Sequence, residues 1–350
     1  MMNNPKTMIA MSGGVDSAVC AHLIAQKTPA AGVTMHLFGE ELGFIPSDES
    51  EKAAAVCRHM QIPHYTADLS AEFRREVIEP FVAAYEAGLT PNPCIFCNRA
   101  LKFGALLDFA RAQGYERIAT GHYARAEKDG SGRYLLRRAA DLSKDQSYML
   151  YSLTQSVLSC VDFPLGAYTK EQVRAIAEQL GLPMAKQKDS QDICFIPDGD
   201  YVGFIKRLTG KEPQGGDFIT TDGKVLGRHK GTLCYTIGQR KGLGIALGDP
   251  AYVISKSVAD NTVTLGSNEQ LFTARLTAHA LNFIPFDTLA APLRLTAKIR
   301  YRQEAMPARA ELIAPDRLLV EFDAPQRAIS PGQSVVLYED DYVVGGGIID

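Results

Sequence analysis

Residues 7–17 read TMIAMSGGVDS. Thr7 to Met11 form a short apolar run of strand length, and an apolar-periodic stretch from about Ser17 to Lys27 reads as a helix. Two glycines between them allow a backbone path that turns successive N–H groups inward. The helix N-terminus adds positive potential, and Ser12 and Ser17 add hydroxyl donors. Such a turn cradles phosphate oxygens. It is not a Walker A loop, because the lysine of G-x-x-x-x-G-K-[ST] is missing, and it lacks the spacing of G-x-G-x-x-G. Asp16 stands where it could hold a Mg²⁺ bridging phosphates. The plain alternative is a tight strand–helix turn with no ligand.

Working outward, AAGVTMHLF (30–38), HYTADL (64–69) and RIATG (117–121) are further candidate strands. Helices are expected between them: one capped by Ser47 with Ala53, Val56, Cys57 and Met60 on one face, one from Ser70 to about Gly88, and one from Asn98 to Gln113. Strands alternating with helices predict a doubly wound parallel sheet, which binds ligands beyond the carboxyl ends of its strands. The S-G-G-V-D-S turn, Met35 and the His122 turn would lie at that end. Thr169-Lys-Glu-Gln172 is a capping box for a helix ending near Gly181. Past about residue 205, glycine and β-branched residues increase and helical periodicity stops. The expected organisation is an α/β domain over 1–205, a small β-rich domain over 206–268 and a β-barrel domain over 269–350.

The chain has 350 residues, enough for two or three domains at roughly 150 residues each. Hydrophobic residues are 46 % and charged residues 22 %, ordinary for a chain with a buried core. The start, MMNNPKTMIAM, has one lysine and no long apolar run, so no signal peptide is expected. No stretch approaches the roughly 18 apolar residues that would span a membrane. A cytoplasmic setting follows as an expectation, with seven mostly reduced cysteines. A net charge of −3 argues against wholesale coating of nucleic acid, but not against a local basic face.

TPNPCIFCNRALKFG (90–104) puts Cys94 and Cys97 three positions apart. With Cys97 read at the start of a helix and Arg99 and Lys102 nearby, the thiolate should be favoured, suiting a nucleophile or metal ligand. Cys194 ends the polar run KQKDSQDIC, with Lys186 and Lys188 upstream, and should reach solvent. Cys20, Cys57, Cys160 and Cys234 sit in apolar segments and read as packing residues. In LTAKIRY (295–301), Lys298 and Arg300, joined by Arg302 if the strand continues, alternate with apolar residues as a basic stripe able to track phosphates. Arg133/Arg137/Arg138, Arg228-His229-Lys230 and Arg240-Lys241 are further basic clusters.

S-G-G-V-D-S, T-P-N-P-x-x-x-C-N-x-x-x-K-F, G-H-Y-A (121–124), K-D-Q-S-Y (144–148), D-S-Q-D-I-C-F (189–195), G-Q-R-K-G-L (238–243), K-I-R-Y-R (298–302) and P-G-Q (331–333) occur in order along nearly the whole chain. Together they resemble the tRNA-specific 2-thiouridylases, a family of the ATP-pyrophosphatase (PP-loop) superfamily. The resemblance implies a tRNA-uridine 2-sulfurtransferase. ATP held at Ala10, Met11, Ser12, Gly13, Gly14, Val15, Asp16 and Ser17, with Met35 and Gly121, would adenylate O2 of the wobble uridine. A persulfide sulfur on Cys194 would then attack C2, and Cys97 would resolve the transfer and leave a Cys97–Cys194 disulfide. Asn92, Pro93 and Cys94 would approach the target base. His122, Lys144, Asp145, Gln146, Arg300, Tyr301 and Gln333 would touch tRNA. The expected partners are lysine, glutamate and glutamine tRNAs and a sulfur-donor protein, with no membrane.

Many relatives carry aspartate where this chain has Cys94. That leaves a second route open, a [4Fe–4S] cluster held by Cys94, Cys97 and Cys194, and a third, a structural zinc clip. Two different proteins would share parts of the pattern. An enzyme transferring ammonia to a carbonyl would need the loop but neither thiol. A non-catalytic RNA-binding metal protein would tolerate loss of Asp16.

Overall fold

The computed structural model describes residues 5–38, 49–182, 193–245 and 249–350. Ser47, Lys186, Lys188 and the D-S-Q-D run 189–192 lie outside the described residues. The alternation read from the sequence begins with β1 (Thr7–Ala10), α1 (Val15–Ala25), β2 (Ala30–His36), α2 (Glu49–His59) and β3 (His64–Asp68). Next, α3 (Ser70–Phe73) continues through a π-helical turn into α4 (Glu79–Glu86). The cysteine helix starts at α5 (Pro93–Phe96), earlier than expected, because Asn92 caps it and Pro93 fits its first turn. It runs through a π-helical stretch, Cys97–Ala105, into α6 (Leu106–Ala112).

β4 (Arg117–Ala119) is followed by a hairpin of β5 (Ala124–Lys128) and β6 (Tyr134–Arg138) that the periodicity did not suggest. α7 (Gln155–Leu158), β7 (Val161–Asp162) and α8 (Lys170–Gln179) complete this part. The Thr169 box forms as read: Thr169 Oγ1 accepts from Gln172 N at 3.2 Å, and Gln172 Oε1 accepts from Thr169 N at 2.8 Å. The sheet has the order β3-β2-β1-β4-β7, all parallel. Both faces are covered, so the central strands β1, β2 and β4 are largely buried, while β3 at the edge (HYTAD) is mixed. Met8 and Val33 feed one core with the helices between Phe73 and Ala110, while Ile9 feeds the other with α1, α2 and α8.

α9 (Tyr201–Thr209) leads into the middle domain. There β8 (Gly216–Ile219), β9 (Val225–His229), β10 (Tyr252–Ser257) and β11 (Thr262–Gly266) form a sheet of order β10-β11-β8-β9 around Phe218, Tyr235, Val253 and Val263. The last six strands are β12 (Phe272–Phe283), β13 (Leu293–Lys298), β14 (Met306–Ala314), β15 (Arg317–Arg327), β16 (Ser334–Glu339) and β17 (Tyr342–Ile349). They pair as β12-β15-β14-β13-β16-β17, and β17 returns to β12, closing a barrel with no free edge among these six.

The hairpin joins the two ends of the molecule. β6 pairs with β17 at Arg137 and Tyr342, so the first domain adds two strands to the barrel sheet. This corrects the reading of Arg133, Arg137 and Arg138 as an RNA-facing patch. Arg133 Nε donates to Ile284 O at 2.7 Å, Arg137 pairs with Asp341, and Arg138 lies 4.2 Å over the Tyr338 ring. Their charges hold the two domains together. The basic stripe of 295–301 is also broken: the strand ends at Lys298, and the chain turns at 299–302. Arg300 then donates to Ala328 O and Ser330 Oγ, and Lys298 sits over the Tyr338 ring.

Candidate active site

β1 and β4 are neighbours in the sheet, with β2 on the far side of β1. The chain leaves β1 toward α1 and leaves β4 toward the hairpin, so both exits open at the switch point where such sheets bind ligands. The 12–17 turn fills this position. Gly13 has φ +73°, a left-handed conformation natural to glycine, and the start of α2 closes over it. Ser17 Oγ donates to Gly14 O at 2.9 Å, and Ser12 N points at Ser17 Oγ at 3.3 Å, which holds the loop in shape. Gly121 lies against the loop: a Cβ there would stand 2.9 Å from the Asp16 carbonyl carbon. Ala10 ends β1 and Met11 follows it, and Met35 stands near the exit of β2.

Asp16 is more engaged than the sequence suggested. Lys170 Nζ donates to both of its carboxylate oxygens at 2.8 Å, and Tyr123 Oη donates to Oδ1 at 2.8 Å. The Lys170 side chain is only 9 % exposed. Oδ2 accepts only from Lys170 and the Asp16 side chain is 32 % exposed, so an acceptor site stays open to a cation, though no metal step is derived through it. Lys170 and Tyr123 were missed by sequence reasoning. The capping box and G-H-Y-A had been noted, but nothing local connected residues 154 positions apart to one carboxylate. Lys170 thus brings a cation to the Asp16 carboxylate from outside the loop.

Cys97 was expected at a helix start as a thiolate. It lies past the first turn and is buried, and burial pushes its thiol up, with Lys102 opposing and Cys94 adding to the shift. Burial also raises the Cys94 thiol, and Lys102 again opposes. The reason for the correction is desolvation, which outweighs one cation. Cys194 is exposed. The surrounding protein nonetheless desolvates its sulfur and, with Cys97 and Cys94 in electrostatic range, pushes the thiol up to about 12. The fold therefore brings the three sulfurs into one neighbourhood, with Lys102 acting on all of them. Phe195 anchors the segment after Cys194 among Phe73, Phe81 and Phe204. Among the described residues no group of three His, Cys, Asp or Glu side chains converges as a metal site. The three cysteines as placed do not fit a cluster, and no step is derived through one. Cys20 and Cys57 are fully buried, as expected of packing residues, while Cys160 and Cys234 are half-buried.

Of the residues expected at tRNA, several serve the fold. His122 is buried; its Nδ1 meets Thr120 Oγ1 at 2.7 Å, and desolvation, aided by Lys102, lowers its pKa well below the usual value. Asp145 is buried and accepts from Ala139 N and from Ser147 N and Oγ. Gln146 Oε1 accepts from Tyr123 N at 2.9 Å, and Gln333 Nε2 donates to Thr90 O at 2.7 Å. Tyr301 packs near Tyr148, and Lys144 is half-buried. Asn92 accepts from Cys94 N at 3.2 Å, Pro93 is buried and Cys94 is half-buried.

A phosphate cradle at the switch point of a parallel sheet, beside clustered thiols and joined to two β-domains, defines a nucleotide-dependent enzyme of the PP-loop class. Residues 5–198 match the tRNA methyl transferase HUP domain, 203–267 the tRNA methyl transferase PRC-barrel domain and 273–349 the aminomethyltransferase beta-barrel domain. A tRNA-specific 2-thiouridylase MnmA from Clostridioides difficile is 46 % identical over 358 residues, covering 100 % of this chain and 99 % of the relative. The same-named protein of Clostridium kluyveri is 45 % identical, covering 99 % of each. Among solved structures, an NMN synthetase from Francisella tularensis covers 59 % of this chain and 78 % of its own at 17 % identity and TM-score 0.33, too slight a likeness to bear on function. The chain belongs to the tRNA-specific 2-thiouridylase family.

Proposed function

We propose that this protein uses ATP to replace O2 of the wobble uridine in a tRNA anticodon with sulfur. The 10–17 loop, with Met35 and Gly121 at its rim, holds the nucleotide. Uridine O2 attacks the α-phosphorus and pyrophosphate leaves. The terminal sulfur of a Cys194 persulfide adds to C2, and the C–O bond breaks to release AMP. Cys97 then attacks Cys194 Sγ. The S–S bond to the transferred sulfur breaks, its electron pair stays on that sulfur as the C2 thiocarbonyl, and a Cys97–Cys194 disulfide forms. The persulfide and Cys97 protons pass to solvent, and an external thiol reduces the disulfide for the next cycle. A sulfur-donor protein reloads Cys194, whose exposure gives it access. Lysine, glutamate and glutamine tRNAs are the proposed substrates, and the cytoplasm the setting. No helix of the described residues is long and apolar enough to cross a membrane.

What supports this reading is the full-length similarity to tRNA-specific 2-thiouridylases together with the placement of Cys194 in electrostatic range of Cys97, far from it in sequence. Cys97→Ser and Cys194→Ser should each abolish 2-thiouridine formation while retaining tRNA-dependent pyrophosphate release from ATP. Normal thiolation by either variant overturns the thiol mechanism.

A further inference from the structure

Adenylating O2 of a uridine moves a proton that the thiols do not account for. As O2 bonds to phosphorus, the C2–O2 double bond becomes single and a C2–N3 double bond takes its place. N3 can form it only by losing its hydrogen. That proton comes back to N3 when the C2 thiocarbonyl forms, so a group beside the base has to hold it in between. The stretch 90–104 contains no carboxylate. Burial keeps the Cys94 and Cys97 thiols protonated, and Asp16 is paired with Lys170.

His122 is placed differently. It follows Gly121, where a Cβ would stand 2.9 Å from the Asp16 carbonyl carbon. Its ring packs on Phe103 at 5.9 Å between centroids, and on Phe163 at 6.1 Å. Phe103 belongs to the π-helical stretch that starts at Cys97. The imidazole therefore stands between the 12–17 loop and the cysteine helix, where a base that meets both must lie. It is 9 % exposed, and its Nδ1 is fixed by Thr120 Oγ1 at 2.7 Å. Nε2 has no hydrogen-bond partner among the described residues. A buried ring nitrogen left open at this junction points to a ligand that completes it. With Nδ1–H donating to Thr120, Nε2 carries the lone pair. Desolvation, aided by Lys102, favours the neutral ring, so that lone pair is available at neutral pH. A weak base suffices, because N3–H becomes strongly acidic as O2 gains its bond to phosphorus. The same surroundings disfavour the imidazolium and drive the proton back.

We propose that His122 is a catalytic residue of the thiolation: Nε2 takes the N3 proton of the target uridine as O2 attacks the α-phosphorus, and returns it to N3 as the thiocarbonyl forms. The assignment rests on the thiolation reading and goes beyond contact with the tRNA. Over a full cycle His122 neither gains nor loses a proton.

The test compares full-length tRNA carrying uridine or 5-fluorouridine at the wobble position, since fluorine makes N3–H more acidic without removing it. At saturating tRNA and ATP, His122→Gln should slow single-turnover pyrophosphate release from the uridine tRNA by about a hundredfold. With the 5-fluorouridine tRNA the variant should regain about tenfold of that loss, while the parent gains little. Thr120→Val fills the same space without the hydroxyl that orients the ring. It should lose rate in the same fluorine-sensitive way, and it decides the question if glutamine at 122 unfolds the core. Pyrophosphate release by His122→Gln at the parent rate, an equal loss with both tRNAs, or a loss confined to KM for tRNA would each overturn the proposal. A parent protein that releases no pyrophosphate with the uridine tRNA would instead overturn the thiolation reading, and this one with it.

Discussion

Asp16, Lys170 and Tyr123 make a charge-compensated group at the 12–17 loop, and the ammonium is almost wholly removed from water. Removing one member of a buried pair leaves the other charge uncompensated. Lys170→Met should therefore lower unfolding free energy by about 3 kcal/mol. Urea denaturation monitored by circular dichroism checks this; a change below about 0.5 kcal/mol, typical of a surface site, would contradict it. A second expectation concerns Cys97. Because burial raises its pKa, the thiol stays protonated at neutral pH, and only the thiolate reacts with alkylating agents. Its alkylation rate should climb about tenfold per pH unit from 7 to 9, followed by mass spectrometry. A plateau below pH 8 would mean that the cation at Lys102 prevails over burial.

The elements meet at Gly121, where the strand exit touches the Asp16 backbone. Gly121→Ala should push the nucleotide loop aside, costing about 1–3 kcal/mol of stability. It should also weaken ATP binding, measurable by calorimetry; unaltered affinity would show that the loop yields freely. Much at this scale was legible in the sequence. The glycines and serines of 12–17, the apolar strands and the Thr169 box are local patterns whose physics is complete within a few residues. The hairpin 124–138 was not legible, because its polar and basic residues match no buried strand and its stabilising partner is Asp341, about two hundred positions later. The same limit hid Lys170, and it explains why Arg300 and Asp145, charged residues near motifs, turned out to be engaged by the protein itself. The protonation of the thiols is not legible in the sequence, since spacing reveals neighbouring charges and not the depth of burial that raises all three.

Across the whole molecule, Asp341 is the centre of the interdomain contact. It accepts from Arg125 Nη2 at 2.8 Å and pairs with Arg137, while its backbone oxygen accepts from Arg138 N at 2.7 Å. These groups are 28–46 % exposed, so each pair is weak alone, but they act as a network. Asp341→Ala should loosen the hairpin from the barrel and speed proteolytic cleavage within 124–138, read by limited digestion. Digestion identical to the parent would assign the contact to the β6–β17 pairing and the Arg138–Tyr338 stack. The placement of that pairing also bears on biosynthesis. Leading domains generally fold first as the nascent chain emerges, yet here the strand edge of residues 134–138 waits for residues 342–349, about two hundred positions later. Until those residues emerge, that edge is a sticky surface in need of shielding.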